Sequence, residues 1–210
     1  MRNNQKLNTD YLATFKQVID NEINEHPRTL LVVVNLHMPY PKDDDVLPPD
    51  FYTQEDNLMS RFIGSLKAKL KAHQQRKARE GIRTHRTGLR YFWVREIGRK
   101  SGNKHYHLML LVNKDAFHCL GRFDSERNNL RSYIQEAWLS GLGLTGTKVA
   151  DLGEYHPLVH FTKSPLYYLD MYSENYDTVY RDLMPRVEHL AKHHTKVYGR
   201  DTRSIGYSLR

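Results

Sequence analysis

The sequence predicts an α+β fold, and three observations carry that expectation. Amphipathic stripes of helical period cover residues 9–25 and 53–77. A β-branched apolar run, Leu30 to Leu36, has the composition of a central strand. Two further strand-like runs, 89–97 and 105–112, flank a polar, glycine-containing turn, and so pair as an antiparallel hairpin. With 210 residues the chain is one domain, or one domain with a large insertion, and is long enough for a sizeable core.

In order, the first helix is capped by Asn8 or Thr9, buries Leu12, Phe15, Ile19 and Ile23, and stops before Pro27. The strand 30–36 follows. Residues 38–49 hold four prolines and three consecutive aspartates, which demands a loop. The second helix is expected to begin at Thr53, with Glu55 and Asp56 at its positive end and Leu58, Phe62, Ile63, Leu66 and Leu70 buried. His73 and His85 are read as exposed. In the hairpin, Phe92, Val94 and Glu96 share one face while Tyr91, Trp93 and Arg95 share the other. A third helix is expected over 125–139, with Leu130, Ile134 and Trp138 inside. Short strands are expected at 148–150 and 157–161, an aromatic-rich segment at 166–172, a helix over 178–193 despite Pro185, and an edge strand at 205–209.

The formal net charge of +8 points to an anionic partner, nucleic acid before a membrane surface. The positive charge concentrates between Lys67 and Arg90, where Glu80 is the lone acid. Lys71, Arg76, Lys77, Arg79, Arg83 and Arg86 are the residues expected to track phosphates, although such a run is also what a solvated helix face looks like. The single Cys119 excludes an internal disulfide framework, argues against a disulfide-linked partner and fits a reducing, cytoplasmic compartment. The N-terminal residues lack the apolar core of a secretory signal, and no apolar run reaches membrane-spanning length.

The chemistry centres on His105-Tyr106-His107 at the front of an apolar strand. Strand side chains alternate, so both imidazoles point the same way, as two metal ligands must. An ordinary pair of strand histidines has the same pattern. Glu96 falls near the same end of the hairpin, and a carboxylate with two imidazoles suits Mg²⁺ or Mn²⁺, and also Zn²⁺. A third alternating histidine is missing, since Met109 stands there; the glutamate is upstream rather than downstream; and neither a His-Glu-x-x-His motif nor a phosphate loop occurs. Metal site, basic surface and late tyrosines together point to metal-assisted transesterification of a DNA phosphodiester by a tyrosine, on single-stranded or melted DNA. Tyr168 and Tyr172 are candidate nucleophiles; at a spacing of four they would share a helix face, which is more often a packing pair.

These residues fall in an ordered set. The stretches Leu31-Val32-Val33-Val34-Asn35-Leu36-His37, Trp93-Val94-Arg95-Glu96 and His105-Tyr106-His107 running into Asn113-Lys114 come first. Ala137-Trp138, Leu190-Ala191-Lys192, Thr195-Lys196, and Arg203 with Gly206 and Ser208 follow. Over residues 30 to 208 the chain resembles the inovirus gene-two-protein-like family (YagK/YfjJ C-terminal domain), a branch of the HUH replication initiators and nicking endonucleases. The resemblance implies a central antiparallel sheet flanked by helices in the HUH, Rep-like fold. An N-terminal helix (1–28) would pack on a nuclease domain spanning 29–210. It also implies Glu96, His105 and His107 as ligands of a divalent ion, Mg or Mn. Lys192 and Lys196, retained from the family pattern, would meet a phosphate.

The chain departs from the family at one position. The resemblance expects Tyr-Leu-Ala-Lys at the late helix, and the chain has His189-Leu190-Ala191-Lys192. Three outcomes stay open: another tyrosine (Tyr168, Tyr172, Tyr176 or Tyr198) attacks; His189 activates water; or cutting is lost. The function expected is a metal-dependent DNA nickase of a mobile element, acting as in rolling-circle replication. The alternative is a DNA-binding regulator that does not cut.

Overall fold

The computed structural model describes residues 7–39, 57–98, 103–121, 128–144, 158–192 and 203–209. In chain order the elements are α1 (Thr9–Glu25), β1 (Arg28–His37), α2 (Leu58–Arg79), β2 (Arg90–Ile97) and β3 (Lys104–Asn113), then α3 (Leu130–Gly141), β4 (Val159–Asp170), α4 (Tyr176–Leu190) and β5 (Ile205–Tyr207). The chain divides into two compact units. One comprises Met1–Asn35, Thr87–His118 and Phe161–Arg210; the other comprises Leu36–Arg86 and Cys119–His160.

The first unit is built on a five-stranded sheet of order β4-β1-β3-β2-β5, so the histidine strand is central. β2 pairs antiparallel with β3, placing Glu96 opposite His105 and Val94 opposite His107. It also pairs antiparallel with β5, where Trp93 faces Gly206. A side chain at 206 would run into the Trp93 indole, so only glycine lets β5 lie flat here. The expected α+β arrangement, an antiparallel sheet with helices on it, is what the chain adopts.

α1 starts where Asn8 Oδ1 accepts from the Asp10 and Tyr11 amides at 3.1 Å each, so Asn8 rather than Thr9 is the cap. Its Phe15, Val18, Ile19 and Ile23 enter one core cluster with Leu183, Val187 and Leu190 of α4. The sheet contributes Leu31, Val33, Phe92, Val94, Met109 and Leu111 to the same cluster. Phe15 stacks on Phe92 with centroids 4.5 Å apart. Within each strand these residues share one parity, so α1 and α4 lie on one face of the sheet. Met109 and His107 belong to that same face, and so do Val94 and Glu96. The face is apolar toward Leu111 and becomes polar toward His105.

In the second unit α2 lies against α3, with Phe62 edge-on to Trp138 at 5.7 Å and Lys69 paired to Glu136 at 2.6 Å. Trp138 Nε1 donates to the His37 carbonyl at 2.9 Å.

Several expectations require correction. Among the described residues α2 begins at Leu58, with Asn57 at φ 68° as its cap residue; Thr53, Glu55 and Asp56 lie outside them. α3 begins at Leu130, because Asn129 and Ser132 form a reciprocal capping box there. His73 is not exposed. It falls on the Leu66–Leu70 stripe at helical spacing and is 8 % exposed. The expected strand at 157–161 continues to Asp170, so the aromatic-rich segment is extended. Tyr168 and Tyr172 therefore share no helix face. β4 is an edge strand, which is why it tolerates Pro165 after Ser164 at φ 55°. The strand expected at 148–150 lies outside the described residues.

Candidate metal centre

The centre is assembled at the polar end of the sheet face described above. Glu96 and His105 are cross-strand partners, and His107 follows two residues along β3 on the same face. Glu96 is 5 % exposed, and its Oε2 lies 3.1 Å from His107 Nε2 and 3.8 Å from His105 Nε2. The two imidazole rings are 4.9 Å apart and nearly perpendicular. A buried carboxylate is costly unless a positive charge accompanies it.

β1, next to β3, supplies Asn35, whose Oδ1 lies 2.8 Å from His107 Nδ1. An amide oxygen only accepts, so Nδ1 carries the proton and donates. A neutral His107 then turns its Nε2 lone pair toward the Glu96 carboxylate. Two acceptors 3.1 Å apart repel unless a cation, or a second proton on the ring, lies between them. An outer partner that fixes the tautomer and leaves the other nitrogen free is the usual support of a metal-binding histidine. The donor set of a carboxylate and imidazoles fits a divalent ion.

α4 brings the remaining donor. Leu183, Val187 and Leu190 anchor it in the core, and its last turn exposes His189. The His189 and His107 rings are 5.8 Å apart at 86°. One ligand atom from each of Glu96, His107 and His189 lies within 4.8 Å of the others. His189 therefore joins two of the three expected ligands, Glu96 and His107, while His105 lies outside this 4.8 Å group. Lys192 follows one turn later, half-buried, with its backbone bridged to Leu7.

The tyrosines are elsewhere. Tyr168 lies on β4 under the Lys114 ammonium, which is 5.6 Å from its ring centroid. Tyr172 is 79 % exposed and sits just past Asp170, which accepts from Lys114 and Arg28. Lys114 follows the far end of β3, seven residues beyond His107, which at about 3.3 Å per residue is roughly 23 Å along the strand. Tyr168 and Tyr172 are thus not brought to the cluster. Tyr176 and Tyr180 pack together on the core with rings 6.0 Å apart. Burial, with Asp20 nearby, pushes both phenols up. Tyr198 and Lys196 lie outside the described residues.

Of the basic residues, Lys71, Arg79, Arg83 and Arg86 are exposed and Lys77 is half-buried. Arg76 is engaged within its own unit, donating to Asn128 Oδ1 at 3.0 Å and to the Tyr133 hydroxyl at 3.1 Å. No helix among the described residues is long and apolar enough to cross a membrane.

The contact of Asn35 with His107 is not evident from the sequence, although Asn35 lies in the Leu31–His37 stretch. The available signal was a polar residue of Leu31–Val33 parity inside an apolar strand.

Fold and site thus define a class: an α+β protein with a metal-capable carboxylate–imidazole cluster on its central strand pair. More particularly, the chain belongs to the YagK/YfjJ C-terminal domain family, whose model matches residues 1–208. The match extends past the 30–208 span of the sequence motifs and takes in α1. Two relatives from Escherichia coli strain K12 are each 36 % identical, and both are described as uncharacterized. Over 201 residues YfjJ covers 94 % of this chain and 93 % of its own length; over 199 residues YagK covers 95 % and 92 %. A distant likeness exists to the N-terminal nuclease domain of minute virus of mice non-structural protein 1, with a TM-score of 0.29 and 11 % identity over 95 % of this chain and 77 % of that one. That protein is described as coordinating Zn²⁺ in its active-site pocket and recognising DNA at the origin of replication.

Proposed function

We propose that this protein is a metal-dependent DNA-nicking endonuclease of a mobile genetic element, of the HUH, replication-initiator kind. The observation that carries the reading is the convergence of Glu96, His105 and His107 on one end of the sheet face, with Asn35 behind His107. These residues would hold a divalent ion, which when bound supplies charge to the non-bridging oxygens of a phosphodiester. Exposed Lys71, Arg79, Arg83 and Arg86 offer cations to a DNA backbone, consistent with single-stranded or melted DNA as partner.

The reaction breaks the bond between phosphorus and the 3′ oxygen. With a tyrosine as nucleophile, the phenolic oxygen bonds to phosphorus, its proton ends on the departing 3′ oxygen, and a 5′-phosphotyrosine remains. With water, the same displacement leaves a 5′-phosphate and a 3′-hydroxyl. The distance of Tyr168 and Tyr172 from His107 favours water among the described residues.

Incubation of the protein with supercoiled plasmid and with labelled single strands in Mn²⁺ or Zn²⁺ tests the reading. Nicks that vanish with a chelator support it. DNA retention without any cleavage overturns it. That result would favour a second reading, a DNA-binding regulator on a Rep-like fold, for which the histidine at position 189 is the specific support.

A further inference from the structure

We infer that His189 is a metal ligand, and that it makes the centre a four-donor site selective for Zn²⁺ over Mg²⁺ and Mn²⁺. The inference rests on the metal centre of the proposed function and assigns to its last member a role other than nucleophile or base. The donors of Glu96, His107 and His189 lie within 4.8 Å of one another. An ion bound at about 2.0–2.2 Å from each donor needs them about 3–3.5 Å apart. The Glu96–His107 pair, at 3.1 Å, already has that spacing.

The two histidines come from different elements, β3 and α4, and their rings stand nearly perpendicular at 86°. That is how two imidazoles converge on one point. His105, with Nε2 at 3.8 Å from the same Glu96 oxygen, lies outside that group of three and would complete the set as its fourth donor. His189 also lies in the last turn of α4, the negative end of the helix dipole, which favours a cation.

The chemistry of this donor set selects the ion. Three imidazoles and one carboxylate match zinc, which is four-coordinate at rest and can expand to five, as it would have to for a phosphodiester oxygen to reach it. Mg²⁺ prefers oxygen donors in near-octahedral geometry and keeps several waters, and Mn²⁺ also favours oxygen ligands. Because one donor sits on α4 and the others on the hairpin, a bound zinc would also tie α4 to the sheet.

The full chain, stripped with a chelator, is titrated separately with Zn²⁺ and Mn²⁺ against a chromophoric competitor. The wild type is compared with His189→Ala, His189→Gln, Glu96→Ala and His107→Ala, with folding checked by circular dichroism. Loss of a partner that merely supports a ligand costs about 10–100-fold in affinity, so losing the ligand itself should cost at least that. Both position-189 variants are therefore expected to lose at least about tenfold in Zn²⁺ affinity. Their Mn²⁺ affinity should change far less. The visible absorption of the Co²⁺ form should also weaken, as four-coordination gives way to a higher number.

If both position-189 variants bind Zn²⁺ like the wild type while Glu96→Ala and His107→Ala do not, the inference is overturned and the metal centre stands. Equal losses for Zn²⁺ and Mn²⁺ overturn the selectivity. If Glu96→Ala and His107→Ala also bind Zn²⁺ unchanged, the centre itself falls and the inference falls with it.

Discussion

Glu96 lies opposite His105 in the hairpin register, yet its carboxylate oxygen is closer to His107, at 3.1 Å against 3.8 Å. The carboxylate leans along the strand pair and spans both imidazoles. Removing either histidine leaves the carboxylate with one donor fewer to share a cation. His105→Ala and His107→Ala are expected to abolish metal-dependent nicking while the circular dichroism spectrum stays native, since both imidazoles are only partly buried. A double alanine variant that nicks at the wild-type rate would refute the assignment of these residues.

Asn35 would act on a bound metal only through His107. Asn35→Leu removes the acceptor for Nδ1–H and lets the ring turn or change tautomer. A metal affinity lowered by about 10–100-fold is expected, with Asn35→Asp, which keeps an acceptor, close to the wild type. Calorimetric titration checks both. Equal affinities for Asn35→Leu and the wild type would show that the 2.8 Å contact has no influence on the ligand.

How much of this was legible in the sequence depended on how local each feature is. The Glu96–His105 pairing follows from strand alternation across one short hairpin, so it could be read directly. The role of Asn35 required knowing that β1 lies beside β3, a pairing between residues far apart in the chain. The nearness of His189 to His107 depends on where α4 docks, and nothing in a helical stripe states that. His73 is obscured for a different reason: its neighbours are basic, while its own position one turn after Leu70 falls on the buried stripe.

Gly206 gives a test of the sheet that is separate from the metal. It faces Trp93 across the β2–β5 pair, and a Cβ there meets the indole, which is itself packed against Tyr106 at 5.7 Å. The indole cannot simply swing away. Gly206→Ala is expected to destabilise the protein by about 1–3 kcal/mol, as overpacking in a filled site does. Urea denaturation reads this as a lower midpoint. An unchanged midpoint would mean that β5 lifts off at no cost.

His73 predicts an acid-sensitive fold. Its Nδ1 lies 2.9 Å from the Tyr133 hydroxyl and 3.0 Å from an Arg76 nitrogen. A guanidinium has no acceptor, so Nδ1 must accept and the ring must be neutral. Burial, then the charges of Lys77 and Arg76, hold its pKa down to about 4. The unfolded chain, with an ordinary value near 6.5, takes up a proton that the folded form refuses. The stability is therefore complete above about pH 6.5 and is lost as the pH falls toward 4, by on the order of 2–3 kcal/mol from this group. His73→Gln, which keeps an acceptor without a titrating ring, should flatten that dependence. Denaturation midpoints at pH 7 and pH 4.5 test it, and an equal acid loss in both proteins would rule out His73 as the cause.

His189 occupies the position where the family resemblance expects tyrosine, and its ring lies 5.8 Å from that of His107. The backbone of α4 is held there by Leu183, Val187 and Leu190, so exchanging the exposed side chain should not move the helix. His189→Tyr would put a phenol beside Glu96, His105 and His107, three donors sufficient to keep a divalent ion. On a pool of labelled single strands in Mn²⁺, this variant is expected to form a covalent protein–DNA adduct that survives detergent. The tyrosine oxygen at position 189 would bond to phosphorus, and the departing strand would carry a free 3′-hydroxyl. Mass spectrometry of the digested adduct locates the linkage. Cleavage by His189→Tyr without any adduct would show that the last turn of α4 does not present this side chain to the phosphate, and that water attacks from another direction.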